Sequence, residues 1–305
     1  MHADDCESIP IDQMGFTMSR LLMTLCGIIF VGTVRSADQA PPLDKAAMER
    51  AMRPIVLSVP GTDRVVVHSN LKYSDVDDPL VRMDVYVPPD AKATTSYPIV
   101  MLVHGGVPAS LPVKDMGAYR SWGRLIAAHG MIAVTFTHRL RWPLSQLQEA
   151  GDDVRAAIDF VRSNSPKFNA DPARMCIAAY SAGGPLATVA LQDERGYVRC
   201  QLAIYPLVDA HGFGIRDEAK FALASYVGEP TFKPLFIARA GRDAIPTLNE
   251  RLDRFVASAI AANAPITLVN HPHGVHGFDV ETNDARSREI IRAAVDFMKA
   301  HLQSP

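Results

Sequence analysis

The chain has little cysteine, little tryptophan and almost no net charge. Of its 305 residues, 4 are Cys and 2 are Trp, and the formal net charge is −2 at pH 7. A near-neutral chain without a basic stripe does not attract a polyanion, which argues against nucleic acid as a partner. Cys176 and Cys200 lie in apolar, strand-like runs, so we expect both to be buried free thiols.

The sequence also lacks internal repeats, a dinucleotide-binding fingerprint and a Walker-type phosphate loop. Its one tempting group of metal-binding residue types is His271, His273 and His276. Pro and Gly break this stretch, so the three imidazoles need not converge, and no carboxylate pair or cysteine is next to them. We therefore expect neither a metal nor a cofactor.

What is present is the composition of a globular enzyme-sized domain. Hydrophobic residues make up 48% of the chain and charged residues 21%. Apolar runs predict a leading antiparallel pair of strands at 64–73 and 81–87, followed by alternating strands and helices. Further strands are predicted near 98–103, 131–137, 174–179, 199–205, 234–239 and 266–270, and helices at 119–129, 147–162, 185–192, 248–263 and 285–301. This alternation predicts a mostly parallel, doubly wound, eight-stranded sheet with helices on both faces.

The most informative motif is AYSAGG at residues 179–184, where a strand-like run gives way to a helix-like run. A serine on such a tight turn has its hydroxyl pushed out of the fold, and small neighbours let the turn close. This is the nucleophile-elbow pattern G-x-S-x-G, with Ala179 in place of the first glycine. Ser181 is therefore the candidate nucleophile, and it needs a neighbouring base.

Three other loops follow predicted strands. Residues 100–107 read VMLVHGGV, and backbone amides in such a glycine loop can hold a developing oxyanion. Asp243 follows the strand at 234–239, and His276 follows the strand at 266–270. Since ligands bind at the carboxyl ends of strands in sheets of this kind, all four loops are predicted to meet at one edge.

In this order of motifs, residues 60–302 resemble the α/β-hydrolases. They are most similar to bacterial esterases of the hormone-sensitive-lipase-like and dienelactone-hydrolase-like groups, through residues 153–184 and the HGF sequence at 276–278. The resemblance implies an α/β-hydrolase fold. Residues 206–234 connect two predicted strands and are too few for a large lid domain. Without a large lid the site is expected to be open, and an open site favours small or short-acyl esters over long-chain triglycerides.

The resemblance further implies a catalytic triad of Ser181, His276 and Asp243, acting on a small-molecule ester through an acyl-enzyme intermediate. Asp209 follows the preceding strand and is the competing candidate for the acid. Asp152 and Asp153 are interpreted instead as the start of a helix, where carboxylates suit the helix dipole.

The base is assigned to His276 because a glycine-flanked loop suits a side chain that must reach across the edge of the sheet. His271 and His273 are the alternatives. His104 is interpreted as a structural residue whose ring is hydrogen-bonded and shapes the oxyanion loop.

The oxyanion hole is expected to combine the Ala182 amide with Gly106, together with Gly105 or Val107. Val107 stands where the lipase-like group often has a third glycine, so the choice among these amides stays open.

Residues 21–34 are apolar apart from Thr and Gly, and small residues follow them. We interpret residues 1–36 as an upstream extension plus a signal peptide, 37–59 as an N-terminal segment and 60–305 as the catalytic domain. The protein is then expected to be exported, periplasmic or secreted, without stable membrane insertion. An uncleaved N-terminal anchor is the alternative.

Two other functions are compatible with the same motifs. One is a peptidase of the prolyl-oligopeptidase type, and the other is a non-catalytic α/β-hydrolase-fold protein that only binds a ligand or partner. Neither the physiological ester nor the oligomeric state follows from the sequence.

Overall fold

The structure, a computed structural model, describes residues 44–142, 144–193 and 195–303, with the backbone alone at 144 and 145. The predicted signal peptide lies outside the described residues, and export stays a prediction. Within the described ranges, no helix has both the length and the apolar character needed to cross a membrane.

Strands and helices alternate along the described chain. The strands are β1 Val66–Leu71, β2 Met83–Val87, β3 Tyr97–Val103, β4 Val107–Pro108, β5 Ile132–Phe136, β6 Leu140–Trp142, β7 Leu144–Ser145, β8 Ala170–Tyr180, β9 Val198–Ile204, β10 Leu235–Ala240 and β11 Ile266–His271. The α-helices are α1 Lys45–Ala51, α2 Gly117–Ala128, α3 Leu147–Ser163, α4 Thr188–Leu191, α5 Leu248–Ala261, α6 Phe278–Glu281 and α7 Ala285–Leu302.

Eight strands form one sheet in the order β1-β2-β5-β3-β8-β9-β10-β11. β2 pairs antiparallel with β1 and with β5, and the remaining neighbours pair in parallel. The predicted eight-stranded, mostly parallel sheet is therefore confirmed. β4, β6 and β7 form a second, three-stranded sheet that was not predicted, because strands of two or three residues are too short to show an alternating pattern.

Apolar side chains cover both faces of the large sheet, as the period of two in a strand requires. In β3, Val100 and Leu102 pack in one core cluster, and Ile99 and Met101 pack in another. Helices α2 and α7 close the first face, and α3 and α5 close the second. The chain needs helices on both faces because a parallel sheet of this kind is apolar on both.

Cys176 and Cys200 are register partners on β8 and β9, and both are buried free thiols, as predicted. Asp153 differs from its interpretation as a residue that begins a helix. α3 begins at Leu147, and Asp153 lies inside it, buried and ion-paired with Arg139, so tertiary contact rather than the helix dipole explains it.

The predicted helix at 185–192 is α-helical only in its second half. Residues Ser181–Ala187 form a 3₁₀-helix, and only Thr188–Leu191 are α-helical. Two glycines and Pro185 stand in the first part, and proline lacks the N–H that an α-helix interior uses. Residues 205–234 contain two short 3₁₀-helices, Glu218–Phe221 and Leu223–Tyr226, and form no inserted lid domain.

A buried lysine fixes the segment that follows β4. Lys114 is 3% exposed, and its Nζ lies 3.1 Å from Asp84 Oδ1 on β2 and 2.7 Å from Asp115 Oδ1. Leu111 and Val113 beside it are buried in the core. The segment is thus tied to the sheet by an ion pair and by apolar contacts.

Replacing Lys114 with methionine should lower the free energy of unfolding by about 3–5 kcal/mol, because Asp84 then stays buried without its counter-ion. Urea unfolding measures the loss, with the exposed Lys92→Met as the control. Equal stability of the two variants would contradict the role given to this ion pair.

Candidate active site

Ser181 stands at the point where β8 ends and a 3₁₀-helix begins. Its φ is +52°, in the left-handed region, which costs a non-glycine residue on the order of 1 kcal/mol. Two close backbone contacts hold the turn in this shape. A Cβ at Gly183 would collide with the carbonyl oxygen of His104, and one at Gly184 would collide with that of Leu207.

The departure from the elbow pattern at Ala179 is accommodated by the core. Ala179 is fully buried on β8, in the cluster that covers one face of the sheet. A methyl group is small enough to pack there, whereas Gly183, two residues after Ser181, has no room for one.

The structure brings Ser181, His276 and Asp243 into one hydrogen-bonded chain. His276 Nε2 lies 2.8 Å from Ser181 Oγ, and His276 Nδ1 lies 2.6 Å from Asp243 Oδ2. A carboxylate only accepts, so Nδ1 carries the proton and donates it to Asp243, and Nε2 accepts from the serine hydroxyl. Asp243 Oδ1 accepts from Ile245 N–H at 3.0 Å, which fixes the carboxylate from its other side.

The alternative acid is occupied elsewhere. Asp209 forms an ion pair with Arg251 on α5 and accepts a hydrogen bond from the backbone N–H of His211. The carboxylate of Asp209 is therefore paired with the guanidinium of Arg251, and His276 contacts Asp243 instead.

Neither alternative base is hydrogen-bonded to Ser181, whose Oγ contacts His276. His271 ends β11 and is buried, with Nε2 3.0 Å from Ser287 Oγ and 3.3 Å from Asp284 Oδ1. His273 is exposed. Across the residues that the structure describes, no three His, Cys, Asp or Glu side chains converge as metal ligands would.

His104 organises the loop after β3. Its Nε2 accepts from His138 N–H at 3.1 Å, so its Nδ1 carries the proton and donates to Gly105 O at 2.6 Å. Gly105 C=O and Gly106 N–H belong to one peptide, and in a trans peptide they point to opposite sides. Because the Gly105 carbonyl is hydrogen-bonded to His104, the N–H of Gly106 points away from the His104 ring.

Two of the amides predicted for the oxyanion hole, those of Ala182 and Gly106, lie beside Ser181. Ala182 N–H lies in the first turn of its 3₁₀-helix, where N–H groups have no acceptor within the helix. Gly106 lies against Ala182, and within the described part of the chain its N–H has no hydrogen-bond partner. Both predicted donors thus flank the serine.

Gly105 does not fit the role predicted for it. Its N–H donates to Tyr119 Oη at 3.3 Å and so is not free to bind an oxyanion. Gly105 instead provides space, since a Cβ there would lie 2.8 Å from Ser181 Cβ. Neither Tyr119 nor its contact was predicted, because Tyr119 is 14 residues away on α2 and no local pattern marks it.

A second histidine supports His104 and was also missed. The rings of His104 and His138 are stacked with centroids 3.4 Å apart and an angle of 1° between their planes. Burial lowers the pKa of His104 to about 3, and it lowers the pKa of His138 well below its usual range. Both rings are therefore neutral at pH 7, as the hydrogen bonds of His104 require.

These observations can be set beside known proteins. Residues 83–197 match the BD-FAE family model. A propionate-bound esterase, Est2 of Thermogutta terrifontis, superposes with a TM-score of 0.61 at 17% identity and covers 81% of this chain and 98% of that one. The fold is that of the α/β-hydrolases. The predicted resemblance to bacterial α/β-hydrolase esterases is thereby confirmed.

Curated relatives align at lower coverage of their own length. Esterase LipQ of Mycobacterium tuberculosis is 25% identical over 255 residues, which are 71% of this chain and 58% of LipQ. The non-reducing polyketide synthase atr1 of Stereocaulon alpinum is 24% identical over 231 residues, 72% of this chain but 8% of the synthase. The chain thus spans less than two-thirds of these relatives.

The stacked histidines predict a loss of stability in acid. In the unfolded chain both imidazoles take up protons below about pH 6.5, whereas the folded protein resists protonation. The free energy of unfolding should be at its full value above pH 6.5 and fall as the pH is lowered toward 3. His138→Phe removes one of the two imidazoles, so the free energy of unfolding of this variant should decrease less steeply between pH 7 and 4.

Urea unfolding at a series of pH values measures this slope, with the exposed His273→Phe as the control. A His138→Phe variant with the slope of the unmodified protein would contradict the assignment.

Proposed function

We propose that this protein is a serine hydrolase that cleaves small or short-acyl carboxylic esters. The observation that carries the proposal is the chain of hydrogen bonds from Asp243 through His276 to Ser181, beside the amides of Gly106 and Ala182. A nucleophile, a base, an orienting acid and two oxyanion donors are the parts that acyl transfer requires.

In the proposed reaction, Ser181 Oγ attacks the ester carbonyl carbon while His276 Nε2 takes the hydroxyl proton. Asp243 stabilises the imidazolium that forms, and the N–H groups of Gly106 and Ala182 hold the oxyanion. The imidazolium then protonates the departing alkoxide, which leaves an acyl-enzyme on Ser181. Water attacks this ester with His276 again as the base, and the acid product and free serine are released.

The preference for a short acyl group has two supports. Residues 205–234 form no inserted lid domain that would cover a long chain. The esterase Est2, which shares the fold, has been solved with propionate and with butyrate bound. The peptidase and the non-catalytic binding protein are retained as outcomes of the test below.

Ser181→Ala should abolish hydrolysis of p-nitrophenyl acetate and butyrate, with a fall of about 10⁴-fold or more, because the nucleophile is lost. In the unmodified protein, kcat/KM should decrease from butyrate to octanoate. The exposed Ser225→Ala is the matched control and should keep full activity.

Full ester hydrolysis by Ser181→Ala would disprove the site. A peptide p-nitroanilide cleaved faster than these esters would replace the esterase with a peptidase. No activity on either substrate class would favour the binding protein.

Asp243→Asn should lower kcat by roughly 10⁴-fold, because an amide can hold His276 in the wrong tautomer. Asp209→Asn makes the same chemical change on the competing residue and should leave kcat within a few-fold of the unmodified protein. Steady-state kinetics with p-nitrophenyl butyrate compares the two. The assignment of the acid would be reversed if Asp209→Asn caused the larger loss.

A further inference from the structure

A second carboxylate is buried behind the catalytic site. Asp279 lies three residues after His276 and is 1% exposed. Its Oδ2 accepts from Trp122 Nε1 at 2.8 Å, and its Oδ1 accepts from Tyr205 Oη at 2.9 Å. It forms no ion pair with any residue that the structure describes. Burying an unpaired carboxylate is costly, and its two hydrogen bonds come only from neutral donors.

The residue between this carboxylate and the triad is Tyr205. Its ring centroid lies 4.7 Å from that of His276, and the two planes are inclined by 58°. The same ring packs edge-on against Phe278, 5.6 Å away. Tyr205 therefore contacts the imidazole with its ring and holds Asp279 with its hydroxyl.

The backbone of Tyr205 is held in an unfavourable conformation. Its φ is +39°, where a bulky side chain is a genuine outlier. The N–H of Tyr205 donates to Ala238 O at 2.7 Å, which ties the residue to β10. Strain of this kind persists only where the surroundings determine the conformation, and it concentrates at functional sites.

The carboxylate is also anchored on the opposite side. Asp279 lies in α6, and its main-chain oxygen accepts from Val56 N–H at 2.7 Å. Trp122, which donates to its side chain, is buried on α2. Both the carboxylate and the ring of Tyr205 are thus fixed by contacts outside the loop that carries His276.

We propose that Tyr205 and Asp279 are a positioning pair for His276. The Tyr205 ring supports the imidazole, and the Asp279 carboxylate holds that ring and provides a second negative charge that stabilises the imidazolium. This role rests on the proposed function, in which His276 becomes positively charged as Ser181 attacks.

Asp279 and His276 interact electrostatically. Burial raises the pKa of Asp279, and the hydrogen bonds from Trp122 and Tyr205, together with a positive charge on His276, act in the opposite direction. By reciprocity, an ionised Asp279 favours the protonated form of His276.

The other titratable groups that face Asp279 are tyrosines. Tyr119 on α2, Tyr180 at the end of β8 and Tyr205 all have a raised pKa, chiefly through burial, so all three hydroxyls stay neutral at pH 7. His276 itself also faces Asp243. Asp243 and Asp279 are therefore the carboxyl groups that act on the imidazole.

Asp279→Asn tests the charge with little change of shape. We expect kcat for p-nitrophenyl butyrate to fall about tenfold with KM nearly unchanged, and the acid limb of the kcat/KM profile to move to lower pH. Glu281→Gln, which neutralises an exposed acid in the same short helix, is the control and should do neither. An unchanged acid limb in a folded Asp279→Asn protein would overturn the proposal.

Variants of Tyr205 test the ring separately. Tyr205→Phe keeps the ring and should retain kcat within about threefold, whereas Tyr205→Leu should lose at least tenfold. Equal losses in both would show that the ring does not position His276. These variants also keep the proposal testable if Asp279→Asn does not fold.

A measurement without substrate separates this proposal from the proposed function. In the Ser181→Ala background, the midpoint of the His276 titration, followed by NMR, should move to lower pH when Asp279→Asn is added. A shift without ester hydrolysis by the unmodified protein would leave the pair standing and reject the esterase. Ester hydrolysis by the unmodified protein without a shift of the His276 midpoint would support the esterase and reject the positioning pair.

Discussion

The arrangement of the site depends on a direct contact between two backbone loops. β3 and β8 are neighbours in the parallel sheet, and the loops that follow them meet at the carboxyl edge. Gly183 lies against the carbonyl oxygen of His104, and Gly105 lies against Ser181, with no space for a side chain at either glycine. This contact holds Ser181 at positive φ and places its hydroxyl, the Ala182 amide and the Gly106 amide together. The remaining parts of the site are built around it.

The loop after β3 also depends on a neutral histidine. His104 can donate to Gly105 and accept from His138 only as a neutral ring, and burial under His138 keeps it neutral. His276 is held by other contacts: its Nδ1 lies against Asp243, and its ring packs against Tyr205, whose hydroxyl donates to Asp279.

The sequence was sufficient for features with a local pattern. Apolar runs such as those of β3 and β8 predicted the sheet, and the small residues around Ser181 predicted the elbow. It was insufficient where a role depends on a distant partner. His138 acquires its role from a ring 34 positions away, and Tyr119 accepts a hydrogen bond from the Gly105 amide, which was one of the open candidates for the oxyanion hole. Asp153 was assigned to the start of a helix because nothing nearby in the sequence reveals Arg139 as its partner.

The central claim is that Ser181 is a nucleophile activated by His276. The most direct measurement is the reaction of the folded protein with a fluorophosphonate, followed by intact mass and peptide mapping. The account predicts one adduct per chain, located on Ser181. An adduct on another residue, or no adduct on a folded protein, would contradict it.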